Sequence, residues 1–116
     1  MLKGKMERRE NIRYPTEAHA IITTLLIGEA ILQDISITGC CIEYTVQVPV
    51  SVGEPLIIKI IPEPAAGIGE FTVIGEPCWI RSINYSCEIG FLFKEYPKGK
   101  FFERYVDYLS YKSQKN

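Results

Sequence analysis

Three arginines stand close together near the amino terminus, in the run Arg8-Arg9-Glu10-Asn11-Ile12-Arg13, with Arg9 and Arg13 four positions apart. A guanidinium is planar, permanently charged and able to donate two parallel hydrogen bonds to a phosphate or to the O6/N7 edge of guanine, and its face stacks on a base. An arm carrying three of them suits a ligand that presents both phosphate and guanine, although a short basic run at a terminus is more often a solvated tail. A second constellation is Asp34-Ile35-Ser36-Ile37-Thr38-Gly39, in which polar and apolar residues alternate. On a strand this spacing places Asp34, Ser36 and Thr38 on one face. A carboxylate there can accept from the N1–H and N2–H pair of guanine or orient an arginine. Ser36 can offer its hydroxyl to a phosphate or to the turn, and Gly39 permits a positive backbone angle and close ligand approach. The same segment also reads as a capped strand end with an Asp or Ser turn motif.

Elements must hold these groups in place, and most of the chain reads as short strands. Runs at 18–26, 30–37, 40–44, 55–61, 70–75, 78–83 and 86–93 are rich in Ile, Val, Thr and aromatic residues, and most are punctuated by Gly, Pro, Asn or Asp. Consecutive antiparallel strands of this kind predict a closed or nearly closed barrel. Tyr14-Pro15 stops any helix before the first run, Gly28-Glu29 marks a hairpin, and Pro62 to Gly69 reads as a hairpin loop. The period changes only over 98–112, where Phe101, Phe102, Tyr105, Tyr108 and Leu109 mark one face of an amphipathic helix. That helix is expected to lie across the barrel and cover an apolar face. The expected division is a flexible basic arm over 1–13 and one barrel domain with its helix over 14–116.

Composition narrows the function classes. With 116 residues, 47% of them hydrophobic and 23% charged, the chain has the make-up of one ordinary globular domain. The longest apolar stretch, 18–27, is too short to span a bilayer, and the polar first residues do not form a signal peptide, so a cytoplasmic protein without membrane insertion is expected. Cys40, Cys41, Cys78 and Cys87 lack a metal-ligand spacing and sit in apolar runs, so buried free thiols and no metal site are expected. A net charge of −1 argues against a nucleic-acid binder. His19 is the only histidine and no serine or cysteine has a nucleophile's setting, so an enzyme is not expected.

Taken together, the two constellations resemble the signature of the PilZ domain, an RxxxR pair followed some twenty to thirty residues later by (D/N)xSxxG. Arg9 and Arg13 match the first element; Asp34, Ser36 and Gly39 match the second. The later runs Trp79-Ile80-Arg81 and Ile89 to Phe93, and the terminal helix, fall where that family places theirs, so the resemblance covers nearly the whole chain. It implies an all-β fold: a six-stranded antiparallel barrel closed at one end by a carboxyl-terminal α-helix. It implies a cyclic di-GMP site in which Arg9 and Arg13 hold phosphates and guanine edges while Asp34, Ser36 and Gly39 contact guanine from the barrel. Arg8, just before the pair, is similar to the cases in which an intercalated pair of ligands binds. Trp79 and Arg81 are further candidates at the rim, adding stacking or charge. The function implied is a receptor, needing no cofactor, whose arm is ordered by ligand and signals to an effector protein. A PilZ-like scaffold that binds only protein, and a single-stranded nucleic-acid binder, are the alternatives.

Overall fold

Apolar residues recur at every second position along most strands, which points one side of each inward and forces the sheet to curl around them. In the computed structural model, which describes residues 12–25 and 27–114, that curl is complete. The strands are β1 (Tyr14–Pro15), β2 (His19–Ile22), β3 (Ala30–Ile35), β4 (Gly39–Tyr44), β5 (Leu56–Ile61), β6 (Phe71–Ile83) and β7 (Ser86–Phe93), followed by helix α1 (Lys100–Gln114). The hydrogen-bonded order β3-β2-β5-β6-β7-β4 returns to β3 through a β3–β4 pairing, and every pairing is antiparallel. Six strands therefore close an antiparallel barrel; the strand pattern predicts the closure, and the number is the one that the resemblance implies. β1 lies end to end with β2 along β3, pairing Tyr14 with Ile35 and Pro15 with Asp34.

The interior is filled by the alternate residues, among them Ile22, Leu32, Ile42, Ile58, Ile60 and Ile89, all fully buried. Helix α1 adds Phe102, Tyr105, Val106 and Leu109, an i, i+3, i+4, i+7 face, over the end of the barrel where β6 begins and β7 finishes. There Phe102 packs edge-on against Phe71 and Phe93, with ring centroids 6.0 and 5.8 Å apart. Burying each such aromatic contributes roughly 1.5–3 kcal/mol, which is what holds the helix down. Glu103 in the first turn and Lys112 in the last complement the helix dipole.

Several details depart from the sequence reading, among them the expected 30–37 strand, which ends at Ile35, and the helix, which spans Lys100–Gln114 and not 98–112. The expected 18–26 strand ends at Ile22, because Thr23 and Thr24 form a turn. Tyr14-Pro15 forms a short strand of its own. The two runs at 70–75 and 78–83 are one thirteen-residue strand, β6, bent at Pro77 by a register shift rather than interrupted. Cys78, read as a buried thiol, is exposed at that bend, whereas Cys40, Cys41 and Cys87 are buried. The expected arm lies, except for Ile12 and Arg13, outside the described residues.

Candidate functional site

Two β-bulges shape one outer wall of the barrel. In β3 the register passes from Leu32↔Ile42 to Asp34↔Cys41, leaving Gln33 as the extra residue. Leu32 and Ile35 both point inward while Gln33 and Asp34 between them are only partly buried, so the bulge is what turns Asp34 outward. In β6 the register passes from Pro77↔Phe91 to Trp79↔Gly90, leaving Cys78 extra, and the exposed part of the strand starts there. Between these bulges, across β4 and β7, lies a cleft of about 450 Å³.

Its floor, on β4 and β7, includes Gly39, Cys41, Gly90, Phe91 and Leu92. Gly39 is tied to packing, because a Cβ there would run into the backbone carbonyl of Phe91. Its φ is not in the positive region, so close strand approach accounts for the glycine and the expected left-handed angle does not. At Gly90 a Cβ would strike the Trp79 indole, which lies over that strand with 42% of its surface exposed.

One wall carries Arg13 and Asp34. The Arg13 guanidinium donates from Nε to Asp34 Oδ1 at 3.0 Å, and its Nη2 is 2.9 Å from the same oxygen. The opposite wall carries Trp79, Arg81 and Glu88. The Arg81 guanidinium sits 5.7 Å from the Trp79 ring centroid, within cation–π range, and donates from Nε to Glu88 Oε1 at 3.1 Å. Hydrogen bonding to Arg81 holds the Glu88 carboxyl below the usual carboxylate range, and the same contact raises the Arg81 pKa. Gln33 ties β3 to β4, donating from Nε2 to Glu43 Oε1 at 2.6 Å while its Oε1 lies 3.6 Å from Cys41 Sγ. Cys41 is pushed up to about 11, by burial first and by the nearby Asp34 carboxylate second, so it stays a thiol at neutral pH. The cleft thus offers a flat aromatic face, two guanidiniums with donors left over and two carboxylates, a set suited to a planar, anionic ligand rich in hydrogen-bonding edges.

Of the residues singled out in the sequence, Arg13, Asp34, Thr38, Gly39, Trp79 and Arg81 are brought together around this cleft. Ser36 is not among its lining. It is fully buried in the β3–β4 turn, where its Oγ accepts from the N–H groups of Thr38 and Gly39 at 3.2 and 3.3 Å. Its N–H donates to Gly39 O at 2.9 Å, so Ser36 fixes the turn that carries Gly39 and does not share the exposed face of Asp34. Arg8 and Arg9 lie outside the described residues. Sequence reasoning missed Gln33, Cys41, Cys78, Glu88 and Gly90 as cleft residues. A signal existed for two of them: an isolated Gly within the Ile89 to Phe93 strand, and the three-residue step from Leu32 to Ile35 where a regular strand would step by two. His19 lies on β2, its Nδ1 2.8 Å from Glu29 Oε1, and does not line the cleft. Among the described residues no group of three or more His, Cys, Asp or Glu is placed to hold a metal ion, and no helix is long and apolar enough to cross a membrane.

Comparison of the chain with protein-family models and with curated proteins gives no match.

Proposed function

We propose that this chain is a PilZ-type receptor that binds cyclic di-GMP in the cleft between β3 and β6 and acts, without chemistry of its own, as a cytoplasmic adaptor for an effector protein. The observation that carries the reading is the meeting of Arg13, the last residue of RxxxR, with Asp34, the first of DxSxxG, at the mouth of a cleft walled on its far side by Trp79 and Arg81. In this reading Arg13, with Arg9 from the arm, takes phosphate oxygens and guanine edges. Asp34 accepts from a guanine, and Gly39, by letting β4 lie close against β7, shapes the floor under the base. The Trp79 indole supplies a stacking face. Ser36 acts indirectly, by holding the turn on which Gly39 sits. Arg8 would favour an intercalated pair of ligands. Binding draws the arm onto the barrel, and the free energy for that ordering comes from contacts made only in the bound state.

One observation favours a second reading, a scaffold that binds protein and no nucleotide: both described guanidiniums of the cleft already face carboxylates, Arg13 on Asp34 and Arg81 on Glu88. A ligand has to compete for them. Titration calorimetry with cyclic di-GMP decides between the two, with GTP, linear pGpG and a short single-stranded oligonucleotide as controls. The receptor reading expects specific heat, lost at least a hundredfold in affinity in the Arg9→Ala, Arg13→Ala double variant. A stoichiometry near two would support the role given to Arg8. No heat at saturating ligand would leave the scaffold, and salt-steep binding of the oligonucleotide would favour a nucleic-acid binder.

A further inference from the structure

Away from the cleft, the seam between the end of α1 and the chain just after β1 holds a buried carboxylate that is only half satisfied. Glu63 is 7% exposed. Its Oε1 accepts a 2.6 Å hydrogen bond from the Tyr105 phenol, while its Oε2 is buried and has no hydrogen-bond partner among the described residues. The cation facing it is Lys112, whose Nζ is 4.0 Å from Glu63 Oε2 and 3.7 Å from Glu17 Oε2. A charge-assisted hydrogen bond needs about 2.7–2.9 Å, so the ammonium stands between two carboxylates and closes on neither. Beside it is a cavity of about 300 Å³ lined by Pro15, Thr16, Glu17, Leu109, Lys112 and Ser113. Lys112 lines this cavity, so its ammonium has room to shift between Glu17 and Glu63 and to close on one of them.

The barrel side of the seam leads directly into the cleft. Arg13 clasps Asp34, Tyr14 and Pro15 pair with Ile35 and Asp34, and Thr16 donates from its hydroxyl to Leu32 O at 2.5 Å while approaching the Tyr105 phenol. Glu17 then faces Lys112. Residues 13–17 therefore run without a break from a cleft guanidinium to the helix end.

We propose that residues 13–17 are a strap coupling occupancy of the cleft to docking of α1, with Lys112 closing on Glu63 when the strap is drawn toward the cleft. A ligand that recruits Arg13 loads the strap at one end, and the long Lys112 contacts to Glu17 and Glu63 at the other end take up the movement. Coupling of this kind is reciprocal, so loosening the helix end must loosen the cleft end as well. The inference deepens the receptor reading and rests on it only for the identity of the ligand, because the strap exists in the free protein and is tested there.

The experiment is amide hydrogen exchange on the whole chain, comparing wild type with Arg13→Ala, Lys112→Ala and Lys112→Gln in the absence of ligand. Arg13→Ala is expected to speed exchange of helix amides 105–112 at least threefold and to leave β5 unchanged. Both Lys112 variants are expected to speed exchange at Thr16, whose N–H bonds Gln33 O at 3.1 Å. Helix rates unmoved by Arg13→Ala would overturn the strap, and so would an equal rise in α1 and β5, which signifies global loosening. Saturating cyclic di-GMP, followed in parallel by calorimetry, is expected to slow exchange over 105–112. Heat without slowing overturns the ligand response of the strap. Absence of heat overturns the receptor reading, and the free-protein variants still decide the strap.

Discussion

The Trp79 indole occupies the space that a side chain on Gly90 would need, so one wall of the cleft is built on the absence of a single carbon from its floor. Gly90→Ala must push the indole outward or spread β6 from β7. The overpacking should cost about 1–3 kcal/mol. Because Trp79 is the only tryptophan, its fluorescence reports the move directly. A red-shifted emission with a lower denaturation midpoint is expected, and an unchanged spectrum would contradict this packing.

Gly39→Ala should be the more damaging of the two glycine substitutions. Its added carbon meets the carbonyl of Phe91 in a paired strand, and backbone yields less readily than a half-exposed ring. We expect a loss of about 3 kcal/mol, at the upper end of what overpacking costs. Chemical denaturation of both variants side by side checks the order.

The Arg81–Glu88 contact makes a pH-dependent contribution whose sign follows from the carboxyl. Arg81 lowers the Glu88 pKa in the folded state, so the stabilisation is fully present above the ordinary carboxylate pKa and is lost as pH falls through the lowered folded value. Thermal midpoints of wild type and Arg81→Ala should differ at pH 7 and converge toward pH 3. A gap that stays constant over that range would show that the contact carries no linkage.

Of the four thiols only Cys78 is exposed. Burial pushes Cys40 far above its ordinary value and Cys41 up to about 11, so neither is a ready nucleophile. Brief treatment of the native protein with iodoacetamide at pH 8 should add one label, at Cys78, and four after unfolding. Peptide mass spectrometry reads both numbers, and fast native labelling of Cys40 would contradict the burial.

Tyr105→Phe removes the hydrogen bond that Glu63 receives at Oε1 and leaves a buried carboxylate without it. The cost should be about 1–3 kcal/mol. A loss below about 0.5 kcal/mol, the range of neutral surface changes, would mean that Glu63 is satisfied in another way.

The barrel and its helix were legible in the sequence because both rest on periodicity: Ala30 and Leu32, Ile58 and Ile60, Ile89 and Phe91 alternate, and Phe102, Tyr105, Val106 and Leu109 repeat at helical spacing. The cleft was legible only in part. Arg13, Asp34, Trp79 and Arg81 stand out by residue type. Gln33 and Cys78 do not, because they reach the cleft through register shifts, and a bulge is a property of the pairing between two strands. Ser36 looked like a surface hydroxyl from alternation alone. The strand ends at Ile35, and beyond that point the turn decides where a side chain goes. The Glu63–Tyr105 bond joins a loop to a helix across the fold, which no local pattern encodes.

Ring closure also divides the pairings by the length of chain that each must close. The β3–β4 and β6–β7 hairpins pair residues near in sequence, such as Ser36 with Gly39 and Ile83 with Ser86, and can form early. The seams that shut the ring join distant segments, Gly39 with Leu92 and Ala20 with Ile60, and must wait for the chain between them to be arranged. The wall that bears the cleft spans β3, β4, β7 and β6, so it comes into being at the β4–β7 seam.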